Sequence, residues 1–375
     1  MGRGHRACRG YWVIAVDQPP SQGFVGRGTE LSALERAVAD AGLGAPSVVL
    51  VAGEAGIGKS RLIGELDRNR DLTVLLGRCV PMGGEVIPLA PLADLLRRLR
   101  RLRPDVLEAS PSALALRDWL LPGSDGRLGG DGATGALFAP VLELTGLLAA
   151  ETTVVVGFED LHWADTVTWD LFEFLVRNLT DESVVLVGTY RSEEVSTHPA
   201  QRRRLAELRR HPIVRHIELS GLDRPDVEAS ITALTGAPVP SAFIDEVLAR
   251  GQGNPFFTQE LVAAHLAGET IPAVLSDLIS GDLADLDHAA REVLRAVAVV
   301  GRVTDHGLLC RVADLDDGLI EGAVRQAVDA RMLVVDPETD GYQFRHALIG
   351  EVVYSELLPP QRARLHSRVA DALRE

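Results

Sequence analysis

Eight consecutive residues, Gly53-Glu54-Ala55-Gly56-Ile57-Gly58-Lys59-Ser60, set three glycines, an ammonium and a hydroxyl in the spacing G-x-x-x-x-G-K-S. Glycine backbone curls until successive N–H groups point inward, which makes a concavity for phosphate oxygens. Lys59 would reach those oxygens as a point charge, and the Ser60 hydroxyl would ligate magnesium. The pattern implies a phosphate-binding loop, and Arg61 directly after it is grouped with the binding residues. It fixes neither the base carried by the phosphates nor hydrolysis.

Glu159 and Asp160 directly follow the apolar run Val154 to Phe158. Paired acids at such a position suit a cation held through water and a water oriented for attack. By position Glu159 falls on the metal side and Asp160 on the water side, and the two roles are interchangeable. Arg191 closes the run Val187-Gly188-Thr189-Tyr190. It sits at a strand end, where ligand sites of open α/β sheets lie.

Those residues need rigid elements. Ser47 to Ala52 is a short β-branched run ending at Gly53, the signature of a strand buried on both faces. A helix is predicted from Lys59 through Leu66. Further strands are predicted at 72–80, 153–158, 184–190 and 213–219, and helices at 89–102, 112–121, 136–150 and 168–179. Pro122 to Gly135 is Gly- and Asp-rich and reads as a loop. The alternation predicts a parallel sheet with helices on both faces. From Asp223 onward the signals are helical, at 224–235, 241–250, 255–267 and 289–300. Met332 to Val335 and Tyr342 to Phe344 flank a turn-rich stretch, which predicts a small hairpin between helices, a winged-helix arrangement. The expected organisation is a flexible leader over 1–22, a phosphate-loop domain over 23–220, a helical domain over 221–285 and a winged-helix domain over 286–375.

The chain has 375 residues, 46% of them hydrophobic, with 38 basic and 53 acidic side chains for a net charge of -15. That length suits two or three domains. The acidic balance argues against a surface that is wholly a nucleic-acid platform. Three cysteines, Cys8, Cys79 and Cys310, lie too far apart for a disulfide framework or zinc site, which fits a reducing cytoplasm. No apolar run reaches the roughly 20 residues that span a bilayer.

Together these residues resemble the STAND-class ATPases of the AAA+ group, specifically the ATPase part of large LuxR-type bacterial transcriptional regulators. The resemblance runs from about Phe24 to the last residue. Phe24-Val25-Gly26-Arg27, with Glu30-Leu31 after it, resembles the family's opening motif, which places Val25 and Arg27 against the nucleotide. The family usually has Glu directly after that arginine, where Gly28 stands here. Glu159-Asp160-Leu161-His162-Trp163-Ala164-Asp165 resembles the acidic strand-end motif closely. The resemblance also implies Arg191 near the γ-phosphate, and Pro255, in Gly253-Asn254-Pro255-Phe256-Phe257, packed on adenine. It implies His346, in Arg345-His346-Ala347-Leu348, on the β-phosphate of the closed ADP state. His162 and Trp163 are expected to pack beside the site.

The resemblance implies a slow ATPase with ATP/ADP and Mg2+, a hinge near Ser220 to Asp223 and self-association in the ATP state. The alternatives are a nucleotide-dependent scaffold without hydrolysis, or a DNA-binding regulator acting through the winged helix. Full regulators continue into a helical sensor region and a LuxR-type helix-turn-helix. This sequence stops at Glu375, so a fragment or a shortened relative is expected, binding DNA only with another domain or chain. The arginine runs at 97–103 and 202–210 read as solvated helix faces or partners of acidic groups.

Overall fold

The computed structural model describes residues 24–68, 71–82, 85–86, 88–120, 134–301, 303–313 and 315–374. The leader expected over 1–22, Cys8 and most of the loop expected over 122–135 lie outside them. Two compact units result, Gly26–Ser220 and one containing Gly221–Glu375. The division falls at the stretch predicted as a hinge.

In the first unit the order is α1 (Gly28–Gly42), β1 (Ser47–Gly53), α2 (Lys59–Gly64), β2 (Leu72–Arg78), β3 (Pro81–Met82), β4 (Glu85–Val86) and α3 (Ala90–Leu102). Next come α4 (Pro104–Ala109), α5 (Pro111–Leu120), α6 (Phe138–Ala149), β5 (Thr153–Glu159) and α7 (Thr166–Asn178). The unit ends with β6 (Val184–Tyr190), α8 (Ser192–Thr197), α9 (Pro199–Leu208) and β7 (Val214–Leu219). Five strands form one sheet in the order β2-β5-β6-β1-β7, all parallel. β3 and β4 make a separate antiparallel pair.

Every residue of β1 is buried, because both faces of the sheet are covered. Val48, Leu50 and Ala52 join Val154, Val156, Phe158 and Leu186 in a cluster with Val141, Leu144 and Phe172 from helices. The intervening Val49 and Val51 are also buried and point to the opposite face, as strand geometry requires. Non-adjacent strands in sequence thus become neighbours: β6 lies between β1 and β5. The register sets Ala52 beside Tyr190 and Phe158 beside Gly188. Gly53, Asp160 and Arg191 therefore leave the sheet at the same carboxyl edge, where ligands of open parallel sheets bind.

The second unit contains α10 (Arg224–Thr235), α11 (Ser241–Gly251), α12 (Pro255–Ala267), α13 (Ala273–Ala284), α14 (His288–Val300), α15 (His306–Ala313) and α16 (Asp317–Asp329). β8 (Leu333–Val335), β9 (Tyr342–Phe344), α17 (Ala347–Ser355) and α18 (Pro359–Ala372) complete it. The expected hairpin is present, with Leu333 opposite Phe344 and Val335 opposite Tyr342. One core gathers Val227, Ile231, Val247 and Leu261, and a second gathers Leu294, Leu309, Ile320 and Val352.

Candidate functional site

The phosphate loop turns through three glycines with positive φ: Gly53 at 148°, Gly56 at 75° and Gly58 at 102°. A Cβ on Gly53 would sit 2.9 Å from both Ile57 Cγ2 and the Leu219 carbonyl oxygen. Gly58 has open space on that side, so its need is conformational and not steric. Lys59 Nζ donates to the carbonyl oxygens of Gly53 at 2.8 Å and Glu54 at 2.7 Å. Its stem crosses back over the loop, and the side chain is 7% exposed. Burial pulls its pKa down to about 8, with the Asp160 carboxylate opposing the shift. Ser60, the second residue of α2, is half-buried, as are Glu54, Ala55, Gly56 and Arg61, while Ile57 is buried.

Glu159 is the last residue of β5 and not the first beyond it. Its carbonyl oxygen accepts the Cys79 N–H at 2.9 Å. Its Oε2 accepts from Arg78 Nη2 at 3.3 Å, and its Oε1 is buried without a protein donor. Asp160 adopts the left-handed conformation, φ 59° and ψ 48°, and its N–H donates to Thr189 Oγ1 at 2.9 Å. The turn works because Leu161 tucks against Gly188, where a Cβ would sit 2.6 Å from Leu161 Cδ1. Burial raises the Asp160 carboxyl above its ordinary range, with Arg191 and Lys59 opposing. Arg191 is 8% exposed and donates through Nη1 to Glu194 Oε1 at 3.0 Å.

A magnesium ion fits this donor set. Among the described residues no group of three or more His, Cys, Asp or Glu side chains forms a ready metal cage. Magnesium takes few protein ligands and completes its shell with water and phosphate oxygens. The unpartnered Glu159 Oε1 is an acceptor of the kind that orients such water. Ser60 and Glu159 are the residues that would hold it.

His162 is 4% exposed and does more than pack. Its Nδ1 accepts the Arg191 backbone N–H at 3.3 Å, and its Nε2 lies 3.6 Å from Glu194 Oε1. Trp163 packs on it, with ring centroids 5.2 Å apart. Asp165 caps α7 by accepting from Val167 and Thr168 N–H, and also accepts from the Leu89 N–H at 3.1 Å. Arg27 donates through Nη2 to the carbonyl oxygens of Ile57 at 3.3 Å and Ser220 at 2.5 Å. Its side chain thus reaches the backbone of the loop, and Val25, two residues before it, is half-buried.

Pro255 and His346 belong to the second unit. Pro255 opens α12, behind Asn254, whose side chain accepts from the Phe256 N–H. The His346 ring stands edge-on to Phe257 with centroids 4.8 Å apart, and its Nδ1 lies 3.1 Å from Gln252 Oε1. Segments around Pro255 and His346, distant in sequence, thus share one cluster. Burial lowers the His346 pKa to about 4, with Arg345 adding to it.

The arginine runs are largely engaged within the chain. Arg97 pairs with Asp94, Arg98 with Asp67 and Arg103 with Asp105 and Glu151. Arg203 pairs with Glu207, and Arg204 with Asp170 and Glu173. No helix among the described residues is long and apolar enough to cross a membrane. Arg78, Thr189 and Glu194 carry no motif that marks them in the sequence. Glu194 alone leaves a trace, its position three residues after Arg191 at the start of a helix.

Residues 23–187 match the AAA ATPase domain family. The chain is 28% identical over 376 residues to an uncharacterized protein of Rhizobium meliloti (strain 1021). That match takes in 88% of this chain and spans only 35% of the relative's length. Among solved structures it is similar to a STAND protein with a tetratricopeptide repeat sensor from Pyrococcus horikoshii. There the TM-score is 0.39 at 15% identity, over 96% of this chain and 47% of that one. A RuvB variant from Thermotoga maritima gives a TM-score of 0.41 at 14% identity, over 89% of this chain and 97% of that one. With its glycine loop between β1 and α2 and its acids at the end of β5, the segment 23–187 is similar to the AAA ATPase domain family and has the P-loop NTPase fold.

Proposed function

We propose that this chain is a STAND-class signal-transduction switch, the ATPase part of a LuxR-type transcriptional regulator, and that it hydrolyses ATP slowly. The observation that carries the reading is the convergence of Lys59, Asp160 and Arg191 on one sheet edge, where Asp160 and Arg191 act on the charge of Lys59, and Arg191 and Lys59 on that of Asp160. Nucleotide is bound by the loop amides and by Lys59 on the β- and γ-phosphates. Magnesium, when bound, would offset negative charge on the phosphate oxygens. Asp160, whose affinity for protons is raised by burial, orients the attacking water and draws on its proton. Arg191 stabilises charge on the terminal phosphoryl group.

In the same reading Pro255 meets the adenine and His346 the β-phosphate in the ADP state, and exchange for ATP opens the hinge at 220–223 and permits self-association. The difference in contacts made by the two nucleotides supplies the free energy for that shift. The ribbon β8–β9 with its flanking helices serves as the winged helix, in a cytoplasmic protein.

The test pairs two variants in calorimetry and phosphate-release assays. Lys59→Ala is expected to lose nucleotide binding. Asp160→Asn is expected to keep binding while turnover falls about 100-fold or more. Parent-like turnover by Asp160→Asn removes Asp160 from the chemistry. A folded parent that gives no heat with ATP or ADP ends the nucleotide reading.

A further inference from the structure

Glu194 belongs to neither the glycine loop nor the acidic strand end, yet it is 3% exposed and touches two groups of the site. Its Oε1 accepts from Arg191 Nη1 at 3.0 Å and lies 3.6 Å from His162 Nε2. His162 Nδ1 is taken up as the acceptor of the Arg191 backbone N–H. A neutral imidazole with that bond carries its hydrogen on Nε2, the atom facing Glu194. The same Nε2 lies 3.9 Å from Asp160 Oδ1. One buried carboxylate thus braces both the arginine and the histidine beside Asp160.

Arg191 is not fully satisfied by this arrangement. Its Nε is buried without a protein acceptor. A guanidinium presents five donors in a rigid fork, and donors left unmade are costly where water is excluded. A terminal phosphate offers the acceptor oxygens the carboxylate does not supply, in a geometry that suits the fork.

From this we propose that Glu194 is a positioning residue that competes with the terminal phosphate for Arg191, and so sets the discrimination between triphosphate and diphosphate. A diphosphate has no γ-phosphoryl group to present, and the Arg191–Glu194 pair persists beside it. A triphosphate draws the guanidinium from the carboxylate, and the lost pairing offsets part of the new contact. Glu194 therefore weakens ATP binding and leaves ADP binding unchanged. The inference rests on the assignment of Arg191 to the terminal phosphate.

Glu194→Gln keeps the shape and one acceptor oxygen and removes the charge. Calorimetry with magnesium and either ADP or a non-hydrolysable ATP analogue is run on the parent, Glu194→Gln, Arg191→Met and the double variant. Glu194→Gln is expected to tighten the ATP analogue relative to ADP by about tenfold, within the usual range of couplings between sites. The gain is expected to vanish in the Arg191→Met background, which a purely structural effect would not do. An unchanged ratio, or a gain that survives without Arg191, overturns the proposal. Should Glu194→Gln not fold, nitrogen-15 NMR of the parent decides. The Arg191 Nε–H signal, assigned with Arg191→Lys, must move with the ATP analogue and stay with ADP, and equal movement with both overturns the proposal. A folded parent that binds neither nucleotide removes the proposed function and this inference together. A parent that binds both, with the ratio flat across the variants, removes only the inference.

Discussion

Two buried titratable groups give the residue scale its sharpest expectations. Lys59 has a pKa near 8 because burial outweighs its acidic neighbours. Phosphate oxygens against the ammonium favour the charged form and raise that pKa. Nucleotide binding must then take up protons, about half a proton per site at pH 8, and affinity must fall as pH rises above 8. Calorimetry in buffers of different ionisation enthalpy reads the uptake directly, and a value of zero at pH 8 contradicts it. His346 runs the other way from most histidines. Its native pKa of about 4 lies below the ordinary 6.5, so the unfolded chain takes up the proton first. Its contribution is fully present above pH 6.5 and lost as pH falls toward 4. The loss amounts to about 3 kcal/mol, with a slope of up to about 1.4 kcal/mol per pH unit. Urea unfolding of His346→Gln across this window is expected to flatten the pH dependence by that slope.

Glycines decide how closely the elements approach. A Cβ on Gly77 of β2 would lie 2.1 Å from the Pro91 carbonyl oxygen in the first turn of α3. That neighbour is backbone, so the whole helix must shift, and Gly77→Ala is expected to cost about 1–3 kcal/mol. Gly281 in α13 has nothing within 4 Å of such a Cβ, and Gly281→Ala is expected to stabilise by up to about 1 kcal/mol. Denaturant midpoints check both, and equal effects would refute the contrast. The same contacts explain what the sequence could and could not tell. The strands β1, β5 and β6 were legible because strands buried on both faces are continuous apolar runs, whereas the edge strand β7 mixes polar and apolar residues and is partly exposed. Helix α1 was not, because Ala37 and Ala41 supply much of its buried stripe and alanine carries little periodic signal. Glycine weakens a strand interior, and Gly157 stands in β5 because Leu76 Cδ2 lies 2.3 Å from where its Cβ would be. The loop, the acids and Arg191 could be picked out because the chemistry proposed for them demands fixed residue types. Arg78 and Thr189 could not, since their contacts with Glu159 and Asp160 depend on strand order, which no local pattern encodes.

At the scale of the whole chain, the proposal makes nucleotide a link between two units that are each built around their own cores. Thermal unfolding separates a ligand held by one unit from a ligand held by both. Nucleotide at 100 times its dissociation constant adds about 2.7 kcal/mol to whatever folds around it. For units of roughly 150–250 residues that is a rise of about 5–10 °C in midpoint. If only the loop holds the nucleotide, the transition of Gly26–Ser220 moves and that of Gly221–Glu375 stays. If His346 and Pro255 close on ADP as proposed, both transitions move together with ADP, and His346→Gln confines the shift to the first. ATP is expected to raise the first transition more than the second, because in the proposed mechanism its terminal phosphate is met by Arg191 of the first unit while the clamp loosens. The stabilisation should also become dependent on protein concentration with ATP alone, since self-association adds its own mass-action term. Scanning calorimetry with ADP and with a non-hydrolysable ATP analogue, at two protein concentrations, reads all of these. A second transition indifferent to ADP in the parent would leave the phosphate loop intact as a binding site and remove the clamp.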